Sequence, residues 1–323
     1  MRGKGWLYGM GLLFSGQAMA LCSVVSTTPA AFGSISSMTV RTAAQTSSTV
    51  NAGLSCTSAL ISLLVSTDHF YATITSVHSG MVGPTGDVIG YTLYGDSSRS
   101  VPIARGAQFD FGGAGGIAQS IGLIAGPGIK TVPLYLSSIT GSNVAAGVYT
   151  ETLNIAWNWS YCSGVGLGGV CLGRDTGNAT ASLTVSMTVT NDCQITAPAI
   201  SFGSAPVISG FTTVAGQTSI SCTKGSAYSV GLSDGQNALS VGGRRRMISG
   251  GNYLAYDIFK SAGTTRWGSV GTARRDSSSA EINPGNGLGI GSQVFNYSAR
   301  IYTDQPTPPA GAYIDNVVLD IGF

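Results

Sequence analysis

The sequence predicts an all-β chain built from two copies of one antiparallel sandwich, on three observations. Charged residues make up only 9% of 323, against 47 glycines and a hydrophobic fraction of 43%. Runs at helical spacing are absent. Short apolar alternations broken by Gly, Ser, Asn and Pro recur instead, as strands between turns do. Finally, one set of ordered landmarks occurs twice. Cys22, Phe32-Gly33 and Leu54-Ser55-Cys56-Thr57 return as Cys193, Phe202-Gly203 and Ile220-Ser221-Cys222-Thr223. Ile89-Gly90-Tyr91-Thr92-Leu93-Tyr94 returns as Leu254-Ala255-Tyr256-Asp257-Ile258-Phe259, and Gly147-x-Tyr149-x-Glu151 as Gly311-x-Tyr313-x-Asp315. The apolar content excludes a disordered chain, and the length allows two full cores.

Residues 1–20 read as a secretory signal. Arg2 and Lys4 supply the positive start, Trp6 to Phe14 the apolar stretch, and Ala18-Met19-Ala20 the small-x-small cleavage site. Cleavage leaves Leu21-Cys22 as the mature start. No other stretch approaches the roughly 18 apolar residues of a membrane helix, so no membrane span is expected after cleavage. Losing Arg2 and Lys4 leaves 16 − 2 = 14 basic residues against 14 acidic ones. That balance offers no basic face for nucleic acid and little electrostatic resistance to association.

The domain boundary falls at Thr190-Asn191-Asp192, giving domains 21–189 and 190–323. Six cysteines in an exported chain read as disulfides, whose connectivity spacing alone does not fix. The repeat makes Cys22–Cys56 and Cys193–Cys222 equivalent, which favours Cys162–Cys171 as the third pair. A metal site there is disfavoured, because no His lies near. His69 and His78, the only histidines, form neither a triad nor a zinc set, and no nucleophile elbow is present. No enzyme activity, cofactor or metal is expected.

In the second copy, strands are expected around Ile220 and Cys222, Tyr228 to Leu232, Tyr253 to Phe259, and Phe295 to Ile301. The turn signals Ser233-Asp234-Gly235, Ser249-Gly250-Gly251 and Asn283-Pro284-Gly285 separate them. Arg244-Arg245-Arg246 reads as a solvated charge run, with contact to a partner such as the next subunit as the alternative, and Gly285 to Gly291 as a turn-rich loop that lacks the lysine of a phosphate loop. Gly311 to Phe323 forms a last strand, with Val317, Leu319, Ile321 and Phe323 on one face. In the first copy the matching strand, through Leu153, Ile155 and Trp157, is followed by a Gly-rich loop. Leu183, Val185, Met187 and Val189 then alternate with polar residues, a strand able to cover that edge. The second copy has no such segment, and a long uncovered apolar edge invites pairing from outside.

The spacing Cys193…Phe202-Gly203…Cys222-Thr223-x-Gly225…Arg246-Met247…Tyr253-Leu254-x-Tyr256…Trp267-Gly268…Gly311-x-Tyr313-x-Asp315…Phe323 resembles the spore coat protein U domain, the pilin unit of archaic chaperone–usher pili. The resemblance implies immunoglobulin-like sandwiches, the C-terminal one lacking its last strand. It also implies partners. A periplasmic pilus chaperone supplies the strand transiently, an outer-membrane usher exports the subunit, and the next pilin subunit donates the permanent strand. Val317, Leu319, Ile321 and Phe323 then form the acceptor edge. With a single residue before Cys22, the mature chain is expected to accept a strand but not to give one, as a tip adhesin does. Localisation at the cell surface, in the fimbrium, follows.

The first domain carries weakly charged Gly–aliphatic loops that are expected to touch an abiotic or host surface. The candidates are Met81 and Val82; Ile117, Ile121, Leu123 and Ile124; and Val165, Leu167 and Val170 between Cys162 and Cys171. A folded-back lid is the alternative for these loops. A lectin-like tip using Trp157, Trp159 and Tyr161 is weaker, because their period-two spacing suits core packing. A coat or surface protein without adhesive role is the other functional alternative.

Overall fold

The computed structural model of the chain describes residues 22–58, 68–112, 128–167 and 170–323. The signal segment 1–20 and the candidates Ile117, Ile121, Leu123 and Ile124 lie outside them. The strands of residues 22–190 are β1 (Cys22–Val24), β2 (Ala30–Ser36), β3 (Val50–Ser58), β4 (His69–Thr75), β5 (Met81–Val82), β6 (Val88–Ile89) and β7 (Tyr91–Tyr94). They continue with β8 (Pro102–Ile103), β9 (Gln108–Asp110), β10 (Gly128–Ser138), β11 (Gly147–Leu167) and β12 (Val170–Thr190). A short helix not foreseen in the sequence, α1 (Ser37–Thr42), is capped by Ser36, whose hydroxyl accepts from the Thr39 amide. Residues 193–322 form β13 (Cys193–Thr196), β14 (Val214–Cys222), β15 (Ser229–Leu232) and β16 (Arg245–Ser249). They end in β17 (Asn252–Lys260), β18 (Arg275–Asp276), β19 (Gln293–Ile301) and β20 (Leu319–Gly322).

Two sheets lie in each half. The first half pairs β1-β3-β10-β7-β8 and β2-β12-β11-β4-β9. The second pairs β13-β14-β19-β17-β16 and β18-β15-β20. The halves match strand for strand in one sheet (β1 with β13, β3 with β14, β10 with β19, β7 with β17). In the other sheet, β11, β4 and β9 correspond to β20, β15 and β18. Each half has its own core: Leu54, Ile74, Leu134, Leu153 and Trp157 in the first, Ile220, Val230, Trp267 and Phe295 in the second. The architecture is all-β, as the alternation predicts, and immunoglobulin-like, as the family resemblance implies, with one departure from a purely antiparallel reading. β12 runs parallel to β2, with Val185 opposite Ala30 and Val189 opposite Ile35.

Disulfides Cys22–Cys56 and Cys193–Cys222 join β1 to β3 and β13 to β14, at equivalent places in the two copies. Cys171 is also disulfide-bonded. The Cys162 side chain lies outside the described residues.

The strand expected to cover the first copy's edge does so. β11 and β12 form one long hairpin, from Gly147 opposite Val189 to Leu167 opposite Val170. β12 leads through Asn191-Asp192 into β13. Around that short link, Ser37 and Thr223 share a buried hydroxyl hydrogen bond of 2.7 Å, and Lys224 reaches Asp87 at 2.5 Å. Asn143 donates to the Leu288 carbonyl, and Arg41 to that of Gly289.

Candidate functional site

In the first sandwich β12 lies between β2 and β11. Among the described residues of the second sandwich, no strand occupies that place. An apolar trough of about 540 Å³ takes it. One wall is the segment 197–202, with Ile200 and Phe202; the other is 313–319, with Tyr313, Val317 and Leu319. Met247, Ile258, Trp267 and Tyr297 line it from the core side. The trough continues into a second hollow of about 470 Å³ between 200–211 and 307–313, and the two share Ile200, Phe202, Met247 and Tyr313.

Burial shows what is missing. In β11, Tyr149, Leu153 and Ile155 are 0% exposed and Trp157 2%. Their counterparts Tyr313, Val317, Leu319 and Ile321 pack against the second core but are only half-buried. The covering face of β12 is fully buried at Leu183, Val185, Met187 and Val189, while Ser182, Thr184 and Thr188 point outward exposed. An apolar strand of period two is therefore what this fold places in the gap.

The start of the edge segment is held alike in both copies. Thr150 pairs with Val82, and Ile314 bridges Ile248. Further on, β20 pairs with β15, from Leu319 opposite Leu232 to Gly322 opposite Ser229.

Each copy also sets a tyrosine hydroxyl against an acid at the edge. Tyr91 donates to Glu151 at 2.5 Å, and Tyr256 to Asp315 at 2.8 Å. Phe32 packs on Tyr91 and Phe202 on Tyr256. Burial, and then the hydrogen bond to the carboxylate, raises both tyrosines well above the ordinary phenol range. The acids differ in their other partners. Glu151 receives Arg105 through two nitrogens at 2.7 and 3.1 Å. Asp315 accepts from the amides of Gln236 and Asn316, each at 2.9 Å, and forms no ion pair among the described residues.

The arginine run departs from its solvated reading. Arg245 is fully buried and pairs with Asp257 at 2.6 Å, donating also to the carbonyls of Leu232, Ser233 and Trp267. Burial lowers its pKa. Arg244 pairs with Asp304 and lies over Tyr302, and Arg246 lies over Tyr253. A buried cation needs several acceptors converging from distant strands, and that convergence is invisible in a local charge run.

Val317 and Leu319 line the trough, and Ile321 packs on the core. Phe323 does not line it: the residue is 59% exposed, because pairing with β15 ends at Gly322. Met81 is a second correction. It is 0% exposed in the first core, on β5, and Val82 beside it is half-buried, since this segment pairs with β6 and β11 rather than looping outward. Val165, Leu167 and Val170 lie at the closed end of the β11–β12 hairpin, where Leu167 faces Val170 in register. Their side chains are outside the described residues. Trp157, Trp159 and Tyr161 are at most 7% exposed, so they form no aromatic platform. Among the described residues, no group of three His, Cys, Asp or Glu is placed to hold a metal, and no helix is long and apolar enough to cross a membrane.

The wall at 197–202, the floor residue Met247 and the acid Asp315 were not singled out as groove residues from sequence. The signal for two of them was there, in the repeated Phe-Gly and Gly-x-Tyr-x-acid landmarks.

Residues 12–156 and 179–320 match the Spore Coat Protein U domain. The chain belongs to the spore coat protein U domain family. Both halves carry the family's pattern, so the internal repeat is two members of one domain type. Among solved structures, the chain is similar to one from the CsuC–CsuE chaperone–tip adhesion subunit pre-assembly complex of the archaic chaperone–usher Csu pili of Acinetobacter baumannii. That match has a TM-score of 0.61 and 26% identity over 94% of this chain and 100% of the other. The CupB6 tip adhesin of Pseudomonas aeruginosa aligns over 94% of both chains with a TM-score of 0.32 and 13% identity, too low to support an inference. No curated protein matches the sequence.

Proposed function

We propose that the chain is a tip adhesin of an archaic chaperone–usher pilus, exported through the periplasm and joined to the fibre by strand addition in its C-terminal domain (190–323). One observation carries this reading: the trough beside Val317 and Leu319 lies where the first sandwich holds β12. The likeness to the chaperone–tip adhesion subunit complex supports it. A periplasmic chaperone occupies the trough first. At the outer-membrane usher, the N-terminal strand of the next subunit replaces it. Main-chain pairing along 313–322 gives affinity, and alternate apolar side chains entering the trough fix register.

The N-terminal domain (21–189) makes the surface contact. The end of the β11–β12 hairpin, with Val165, Leu167 and Val170, is the leading candidate, joined by Ile117, Ile121, Leu123 and Ile124. Attachment to abiotic or host surfaces and biofilm formation follow.

The test is co-expression with a periplasmic chaperone of an archaic chaperone–usher pilus. The full chain should purify as a 1:1 complex, and Leu319→Asp should abolish the complex. Immunogold should place the chain at fibre tips. Changing Val165, Leu167 and Val170 to Ser should remove attachment while fibres still assemble. Labelling along shafts would contradict the tip position, and unchanged attachment would contradict the contact loops.

A further inference from the structure

Resting on the strand-acceptor reading, the geometry points to a side-chain requirement in the incoming strand: we propose that it carries a basic residue in the inward slot facing Asp315. The slot is defined by the first sandwich. There Glu151, the counterpart of Asp315, stands opposite Val185 of β12. Covered by that strand, Glu151 is 4% exposed, and Arg105 holds it through both carboxylate oxygens. The covered acid in this fold thus has a counter-charge inside its own domain.

Asp315 has none. It lines the open trough half-buried, held by the Tyr256 hydroxyl and two backbone amides. Arginines of the surrounding strands and loops are committed elsewhere: Arg245 to Asp257, Arg266 to Asp257 and Asp234, and Arg246 to the Asn237 carbonyl and the Tyr253 ring. Half-buried on the trough, the Asp315 carboxylate is open to solvent. An incoming strand shuts solvent out, and an apolar side chain in this slot leaves a carboxylate buried without counter-charge, which is strongly unfavourable. A Lys or Arg there restores the pairing of the first copy, with opposite residues in an antiparallel pair close enough to meet. The same acid disfavours a strand whose acidic residue falls in this slot. Asp315 is then a specificity residue that favours one register of one strand and penalises a shifted one.

The experiment uses the full mature chain with a strand appended after Phe323 through a short Gly-Ser turn. The strand copies residues 177–190, with the position of Val185 kept as Val or changed to Met, Lys or Glu. Amide hydrogen exchange across 313–322 reads how far each strand closes the groove. Lys should give at least tenfold higher protection than Met, its apolar match in size, and Glu the lowest. In Asp315→Asn, which keeps an acceptor oxygen for Tyr256, Lys and Glu should converge to within about twofold.

Met protecting as well as Lys overturns the inference while leaving strand addition standing, as does a Lys–Glu difference that survives Asp315→Asn. Absence of protection by every appended strand, Val included, overturns the strand-acceptor reading and the inference with it. If Asp315→Asn does not fold, the Met, Lys and Glu series in the unaltered chain decides alone.

Discussion

The two halves of this chain solve the same edge problem in opposite ways. In the first, β12 closes the sheet from within, lying antiparallel to β11 and parallel to β2. In the second, the equivalent walls at 197–202 and 313–319 enclose a trough. The strands β1, β3, β10, β7, β11, β4 and β9 have counterparts in β13, β14, β19, β17, β20, β15 and β18, and so does the tyrosine–acid pair at the edge. The difference teaches that the same two walls stand with a strand between them in one half and a trough between them in the other. The first half is the record of a groove filled, and so it predicts what filling does to the second.

The largest effect should come from the acid that is already covered. Arg105→Ala leaves Glu151, 4% exposed, with Tyr91 as its remaining side-chain partner. Removing one partner of a buried pair costs about 3 kcal/mol or more. Calorimetry of the whole chain should show the first domain's transition fall while the second's stays. Asp315→Asn, whose acid is still wet, should barely move the second.

Next in size are the apolar residues facing the gap. Leu183→Ala in β12 removes a fully buried side chain and should cost about 2–5 kcal/mol. Val317→Ala, half-buried on the open wall, should cost about 1 kcal/mol. With a strand appended to fill the trough, the cost of Val317→Ala should rise toward that of Leu183→Ala. Equal costs in the free chain would mean that the trough is not open in solution.

A smaller effect marks how tightly β12 fits. Gly177 stands opposite Trp159, and a methyl group there would meet the indole at 2.3 Å. Gly177→Ala should destabilise the first domain by about 1–3 kcal/mol through overpacking. No such penalty applies opposite Phe323, which is exposed. The second groove should accept larger donor residues at that end, measurable as retained binding of strands with Leu in place of Gly.

Much of this was legible in the sequence because it is written in periods and repeats. The alternation Leu183, Val185, Met187, Val189 announces a strand with one buried face, and β12 is that strand. Cys22, Cys56, Cys193 and Cys222 could be paired because the repeat maps one couple onto the other. What stayed hidden depends on partners far along the chain. Met81 looks like part of a Gly-Pro loop until β6 and β11 bury it. Arg245 looks like one of three solvated arginines until Asp257 and three carbonyls converge on it. The wall at 197–202 forms no strand, so no alternation marked it.

The smallest predicted effect asks whether the two halves move together. Asp87 of the first half accepts from Lys224 of the second and from the Ala145 amide at 3.0 Å. Burial alone would raise the Asp87 pKa. The hydrogen bonds from Lys224, Ala145 and Thr85, with the charge of Lys224, outweigh it and hold the carboxyl below its usual 3.8. A depressed folded-state value means that the contact contributes fully above about pH 3.8 and is lost as pH falls through the lower value. Lys224 is 44% exposed, so the contribution is slight. Amide exchange at Ala145 and Lys224, corrected for intrinsic rates, should accelerate severalfold between pH 5 and pH 3. In Asp87→Asn it should be fast at both. If exchange is flat across that window, the junction rests on Ser37–Thr223 and the Arg41 and Asn143 contacts instead. The filled and open sandwiches would then be coupled by hydrogen bonds that involve no carboxylate and that acid does not release.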